Sequence, residues 1–144
     1  MSRVYFDSNV VLYILDVRPE AAAKQLISEK LLAAHVNARE AVISTQVLQE
    51  TYDNAVRKLK LPSPLVAEYV RDLSQLEVIA TDGTLVLEAI AVSQRYQFRI
   101  FDALMIAAAK KAGCATLYTE DLSHGQVIDG VRIVNPFKEQ EAKP

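Results

Sequence analysis

Four carboxylates stand close to where short apolar runs stop. Asp7 ends Val4-Tyr5-Phe6, Asp102 follows Phe101, and Asp121 closes the stretch Tyr118-Thr119-Glu120. Glu50 lies on the helix expected after the run Ala41-Val42-Ile43. Taken singly, each has an ordinary reading. Asp7 and Asp102 suit helix N-caps, Asp121 suits a turn, and Glu50 suits a solvated helix edge. Taken together they pose a charge problem. Two like charges about 4 Å apart repel by about 4 kcal/mol at an effective dielectric of ~20. Protons or cations must relieve that repulsion. An all-oxygen set with no supporting His or Cys suits Mg²⁺ or Mn²⁺ better than zinc.

Other chemistries find little support. The four glycines, Gly83, Gly113, Gly125 and Gly130, are scattered, so no phosphate-cradling loop exists. His35 and His124 lack zinc partners at motif spacing, and no Ser-His-Asp arrangement can be argued. Asp7-Ser8-Asn9 lacks a second aspartate of the Asp-x-Asp kind, and no acid pair adjoins it as in receiver domains. Cys114 is the lone cysteine, which excludes an internal disulfide and predicts a small buried side chain.

The elements that must position the acids read as alternating strands and helices. Short apolar runs at 4–6, 41–43, 77–80, 114–118 and 131–134 predict five strands. Between them, helices are expected over 10–15, 20–36, 46–60, 64–75, from the Thr81-Asp82-Gly83 turn to Tyr96, and from Asp102 to the stop at Gly113. In 20–36 the apolar positions Ala23, Leu26, Ile27, Leu31 and Ala34 predict a core-facing stripe. Short apolar strands alternating with helices imply a parallel sheet covered on both faces. In such a sheet ligands gather beyond the carboxyl ends of the strands, where strand order reverses. Asp7, Asp121 and the start of the helix carrying Glu50 fall at that edge. Spacing alone leaves Asp102 less determined.

The chain has 144 residues, 51% of them hydrophobic and 24% charged, which fits one ordinary domain with a substantial core. No run approaches a membrane span, and the opening Met1-Ser2-Arg3 shows no signal-peptide pattern, so a cytoplasmic protein is expected. The formal net charge is −2. Any nucleic-acid binding must therefore come from local asymmetry. Setting aside the four acids turns that −2 into +2 for the rest of the chain. Basic residues cluster at Arg57, Lys58 and Lys60, at Arg95 and Arg99, and at Lys110 with Lys111.

At this point the motifs resemble a known family. Val4-Tyr5-Phe6-Asp7-Ser8-Asn9-Val10-Val11-Leu12 is similar to the opening strand and turn of PIN domains. Ile43-Ser44-Thr45-Gln46-Val47-Leu48-Gln49-Glu50, Phe101-Asp102-Ala103-Leu104-Met105-Ile106 and Leu117-Tyr118-Thr119-Glu120-Asp121 resemble their next three motifs, and Ile133-Val134-Asn135-Pro136-Phe137 their last strand. The likeness runs over about residues 3–137 and points within the family to VapC-type toxins of toxin–antitoxin pairs. Ser8 stands where the family often has threonine and keeps the hydroxyl. The resemblance implies a three-layer α/β/α fold with about five short parallel strands, a PIN domain over 1–137 and a frayed tail over 138–144. It also implies Mg²⁺-dependent RNA cleavage, an antitoxin partner and a homodimer.

Residue by residue, Asp7, Glu50, Asp102 and Asp121 match the acidic positions, and Thr119 and Asn9 match supporting polar ones. Glu120 is left open between an outward-facing residue and an extra acid. On this reading the chemistry is in-line hydrolysis of a phosphodiester leaving 5′-phosphate and 3′-hydroxyl. Asp7 and Asp102 are the first choice for direct ligands of Mg²⁺ (or Mn²⁺). Glu50 and Asp121 would orient waters or hold a second ion. Arg99, close before Asp102, is the first candidate for an RNA contact. The rival readings are a housekeeping RNA-processing nuclease, a catalytically silent PIN-like binding module, and a phosphotransfer enzyme on a similar sheet.

Overall fold

The computed structural model describes residues 2–141. β1 (Arg3–Phe6) is followed at once by the short helix α1 (Ser8–Tyr13). A 3₁₀ turn (Pro19–Ala21) leads into α2 (Ala22–Asn37), then β2 (Ala41–Ser44) and α3 (Thr45–Arg57). Next come α4 (Ser63–Leu73), β3 (Glu77–Ile79), α5 (Gly83–Tyr96) and α6 (Ile100–Lys111). The chain closes with β4 (Cys114–Tyr118), β5 (Val127–Ile128), β6 (Val131–Val134) and α7 (Pro136–Glu141).

The strands form one sheet in the order β3-β2-β1-β4-β6-β5. All neighbours are parallel except the β5–β6 pair. The chain leaves β1 toward β2 and β3, then returns to lay β4 on the other side of β1. Strand order therefore reverses between β1 and β4, the place where such sheets open a crevice. Both faces of the sheet are covered. Successive strand residues point to opposite faces, yet Tyr5 and Phe6 are both 0% exposed, and so are their neighbours Val42 and Ile43 to within 1%. On one face lies α6, whose residues Ala103–Ala109 are all buried. Its alanines let it pass close under the sheet, with α5 packed against it.

The structure has six strands where the sequence predicts five. The extra one is the two-residue β5, folded back on β6 through Asp129-Gly130, whose φ values of 50° and 84° make the tight turn that an Asp-Gly pair supports. Two residues are too few to show a period, so only the turn dipeptide signalled it. The helix bounds move by a few residues. α1 starts earlier, at Ser8, because Asp7 caps it.

The expected core stripe of α2 is also corrected. The buried residues are Ser28 and Leu32, while Leu26 is 53% exposed and Ala23 and Ala34 lie in solvent. Ile27 and Leu31 of that stripe do pack, partly buried, against the core, and with Leu26 and Ala34 they line a groove of about 420 Å³ beside Tyr118 and Pro136. Beyond β6 the chain continues as helix α7. Asn135 Oδ1 accepts from the backbone N–H groups of Phe137 and Lys138 at 3.0 and 3.2 Å, and Pro136 opens the helix. Of the expected tail, residues 138–141 are thus helical, and 142–144 lie outside the described residues. Cys114 is buried as expected. Among the described residues no helix is long and apolar enough to cross a membrane.

Ile106 sits at the centre of α6, fully buried against the sheet. Ile106→Ala is expected to cost about 2–5 kcal/mol in urea unfolding. Leu87→Ala, on the exposed face of α5, should stay within about 0.5 kcal/mol.

Candidate active site

Asp7 is where β1 turns into α1. Its N–H still donates to Tyr118 O of β4 at 3.0 Å, the last bond of the strand pair. Its side chain then caps α1, accepting the Ser8 N–H on Oδ1 at 2.6 Å. Oδ2 accepts the Thr119 hydroxyl at 2.7 Å and the Asn9 amide at 3.1 Å. The cap reading and the site reading of Asp7 therefore hold together: one oxygen starts the helix, the other is held by β4. Thr119 also accepts the Asp121 N–H at 3.1 Å, which fixes the turn that carries Asp121. Both supporting residues expected from sequence, Asn9 and Thr119, touch Asp7.

Glu50 reaches the same place from α3. Ser44 caps that helix by accepting the Val47 N–H, and Tyr5 lies 2.7 Å from the same hydroxyl. Ser8 Oγ donates to Glu50 Oε1 at 3.1 Å and approaches Asp7 Oδ1 at 3.3 Å, so one hydroxyl joins two acids. Asp102 arrives in the first turn of α6, and Gln46 ties that turn to α3 through the Phe101 carbonyl at 3.2 Å. Sequence reasoning noted Ser8 only as a hydroxyl kept where the family often has threonine, and missed Gln46. The signal for Ser8 was its place next to Asp7; Gln46, four residues before Glu50, carried none.

The four acids step outward from the sheet. Asp7 is buried, Glu50 and Asp102 are half-buried, and Asp121 is exposed. Asp7, Glu50 and Asp102 each feel the charge of Asp121. Burial chiefly pushes the Asp7 carboxyl from its ordinary 3.8 up to about 7; Thr119 and Ser8 oppose this, and Asp121 and Glu50 add to it. Burial likewise raises Glu50, against hydrogen bonds from Ser8 and Gln46, with Asp102 and Asp121 raising it further. Burial and then Asp121 raise Asp102, while Arg99 draws it down.

Ion pairing separates these acids from their neighbours. Asp16 is paired to Arg18, Asp53 to Arg57, and Asp129 to Arg95 and Lys110. Glu120, the open case, is also answered: it pairs with Lys24 at 2.9 Å and accepts the Tyr13 hydroxyl at 2.7 Å. Among the described residues none of Asp7, Glu50, Asp102 and Asp121 has an ion-pair partner. No three His, Cys, Asp or Glu side chains among the described residues stand close enough to form a finished metal cage. The donor chemistry nonetheless fits a hard cation: all four are carboxylates, and Asn9 Oδ1 beside them is buried with no hydrogen-bond partner.

Comparison with known proteins agrees with this fold. The PIN domain family model matches residues 4–128. No curated protein matches the sequence. Among solved structures, a toxin–antitoxin complex from Klebsiella pneumoniae is similar at 20% identity and a TM-score of 0.67, over 92% of this chain and 97% of that one. DNA-bound VapBC from Salmonella typhimurium is similar at 19% identity and 0.65, over 92% and 97%. VapC20 from Mycobacterium tuberculosis, described as a sarcin–ricin loop cleaving toxin, is similar at 18% and 0.67, over 82% and 91%. At these identities the likeness concerns the fold.

The raised Asp7 pKa has a consequence for stability. Between about pH 4 and 7 the folded chain binds a proton that the unfolded chain has released. Without divalent metal, the contribution of this group is therefore greatest below about pH 4 and is lost as pH rises to about 7. Asp7→Asn removes that loss. In EDTA it should raise stability at pH 7.5 by a few kcal/mol, since each tenfold change in proton affinity is worth roughly 1.4 kcal/mol, and change it little at pH 4. Parallel pH curves of Tm for the two chains would contradict the burial of this charge.

Proposed function

Since this chain belongs to the PIN domain family, we propose that it is a metal-dependent endoribonuclease acting as the toxin of a toxin–antitoxin pair. The observation that carries the reading is the convergence of four unpaired carboxylates, from β1, α3, α6 and the end of β4, at the point where strand order reverses. The similarity in fold to VapC20 and to two toxin–antitoxin assemblies supports the toxin role over a housekeeping one.

In this reading Asp7 and Asp102 hold Mg²⁺ or Mn²⁺ directly, with Glu50 and Asp121 completing the set. An ion held there would supply Lewis acidity toward water and the phosphodiester. The rest is the work of the chain. Thr119 and the Ser8 N–H keep Asp7 aimed by occupying the lone pairs that face the protein. Ser8 orients Glu50. Lys24 and Tyr13 draw Glu120 into their own pair, so that it adds no fifth carboxylate to the cluster. Arg99 beside Asp102 stands where it can meet an RNA phosphate. The exposed groove of Leu26, Ile27, Leu31 and Ala34 supports docking of an antitoxin segment. The homodimer belongs to the same reading.

The test is cleavage of RNA with sequencing of the product ends. Expected are 5′-phosphate and 3′-hydroxyl ends, loss of activity in EDTA, and recovery with Mg²⁺ or Mn²⁺. Asp7→Asn and Asp102→Asn should each lower the rate at least about 100-fold. Ser8→Ala, which removes only an orienting hydroxyl, should weaken metal affinity by about 10- to 100-fold. Cleavage that persists unchanged in EDTA, or in Asp7→Asn, would refute the mechanism.

A further inference from the structure

Two of the four acids, Glu50 and Asp121, line a cleft of about 380 Å³, within the range of small-molecule sites. Ser8, Asn9, Glu50 and Asp121 form the wall it shares with the acid cluster, and Asp16 and Glu120, paired with Arg18 and Lys24, line it as well. Arg18, Asn54 and Lys58 line it too, from the segment after α1 and the end of α3.

The cations of the molecule are not equivalent here. Among the basic residues that cluster in the sequence, Arg57 is paired with Asp53, Arg95 and Lys110 share Asp129, and Lys111 faces Asp82. A second cavity, lined by Arg95, Lys110 and Lys111, thus already contains its own counter-charge in Asp129. Arg18 is clamped by Asp16, which accepts from its Nε and Nη2 at 2.8 and 2.6 Å. Lys58, Lys60 and Arg99 have no ion-pair partner among the described residues, and of these three it is the exposed Lys58 that lines the cleft.

Resting on the nuclease reading above, we propose that this cleft is a nucleotide subsite, in which Lys58 holds the phosphate next to the one being cut. The charge pattern selects the ligand. Negative charge at the acids calls for a cation, and through it a phosphate; the positive Lys58 calls for a second anion one cleft away. A single strand of RNA supplies anions in series. The Asp16–Arg18 pair, with Asp16 buried, makes that wall rigid and leaves guanidinium N–H groups for polar recognition.

The experiment measures binding of a 5′-fluorescein-labelled, mixed-sequence, 12-nucleotide single-stranded RNA by anisotropy. It uses the Asp7→Asn chain with Mg²⁺ over a range of salt. Each phosphate neutralised on a single strand contributes about 0.7 to the slope of log K against log salt. Lys58→Ala should reduce the slope by about 0.7 and weaken binding several-fold at low salt. Lys58→Arg should keep the slope of the parent. Arg57→Ala, one residue away but already paired, should leave slope and affinity unchanged. If Lys58→Ala follows the parent curve, or Arg57→Ala falls with it, the subsite is wrong while RNA binding stands. If the parent binds no RNA at any salt, the nuclease reading itself fails, and the subsite with it.

Discussion

The structure is organised around a carboxylate that would be costly without help. Asp7 is buried at the end of the central strand, with other acids close enough to raise its affinity for a proton. A buried charge needs hydrogen bonds or a counter-ion. The protein supplies part of this: Ser8 N–H, Thr119 hydroxyl and Asn9 amide all donate to it. What they leave unbalanced is the charge itself, and that imbalance is the chemical asset of the fold.

Much of the surrounding sequence can be understood as keeping that imbalance local. Acids near the cleft but outside the cluster are each given a cation: Asp16 has Arg18, Glu120 has Lys24, Asp53 has Arg57. Glu120 is the clearest case, because it directly precedes Asp121 in the chain yet faces a different partner. Its hydrogen bond to Tyr13 and its pair with Lys24 tie the loop after β4 back to α1 and α2. The pairing that removes one carboxylate from the cluster thus also anchors the segment carrying another. The placement of Asp7 between its donors depends in turn on the topology. Only because β4 returns to lie beside β1 does Thr119 reach Asp7 across 112 residues of sequence.

The packing follows the same requirement for a covered, reversing sheet. Strands this short are stable only if both faces are buried, and α6 meets that need on one face with a run of small residues. The apolar side chains of α2 that face outward are the exception. The buried face of that helix falls on Ser28 and Leu32, with Ile27 and Leu31 partly buried against the core, which leaves Leu26 exposed along the groove.

The sequence by itself determined the alternation of strands and helices, the covered parallel sheet and the four acids as candidates. Those depend on local features: short apolar runs, capping residues, and carboxylates close to where some of the runs stop. It named Asn9 and Thr119 through resemblance to other chains. Tertiary structure alone decided the rest. Whether Glu120 joins the cluster depended on Lys24, which is 96 residues away. Which face of α2 is buried depended on how it lies on the sheet, since its periodicity allowed more than one apolar stripe. Strand β5 was too short to show a period. The place of Ser8 lies in its distances to Asp7 and Glu50, and that of Lys58 in the cleft it lines, and neither has a signature along a single stretch of chain.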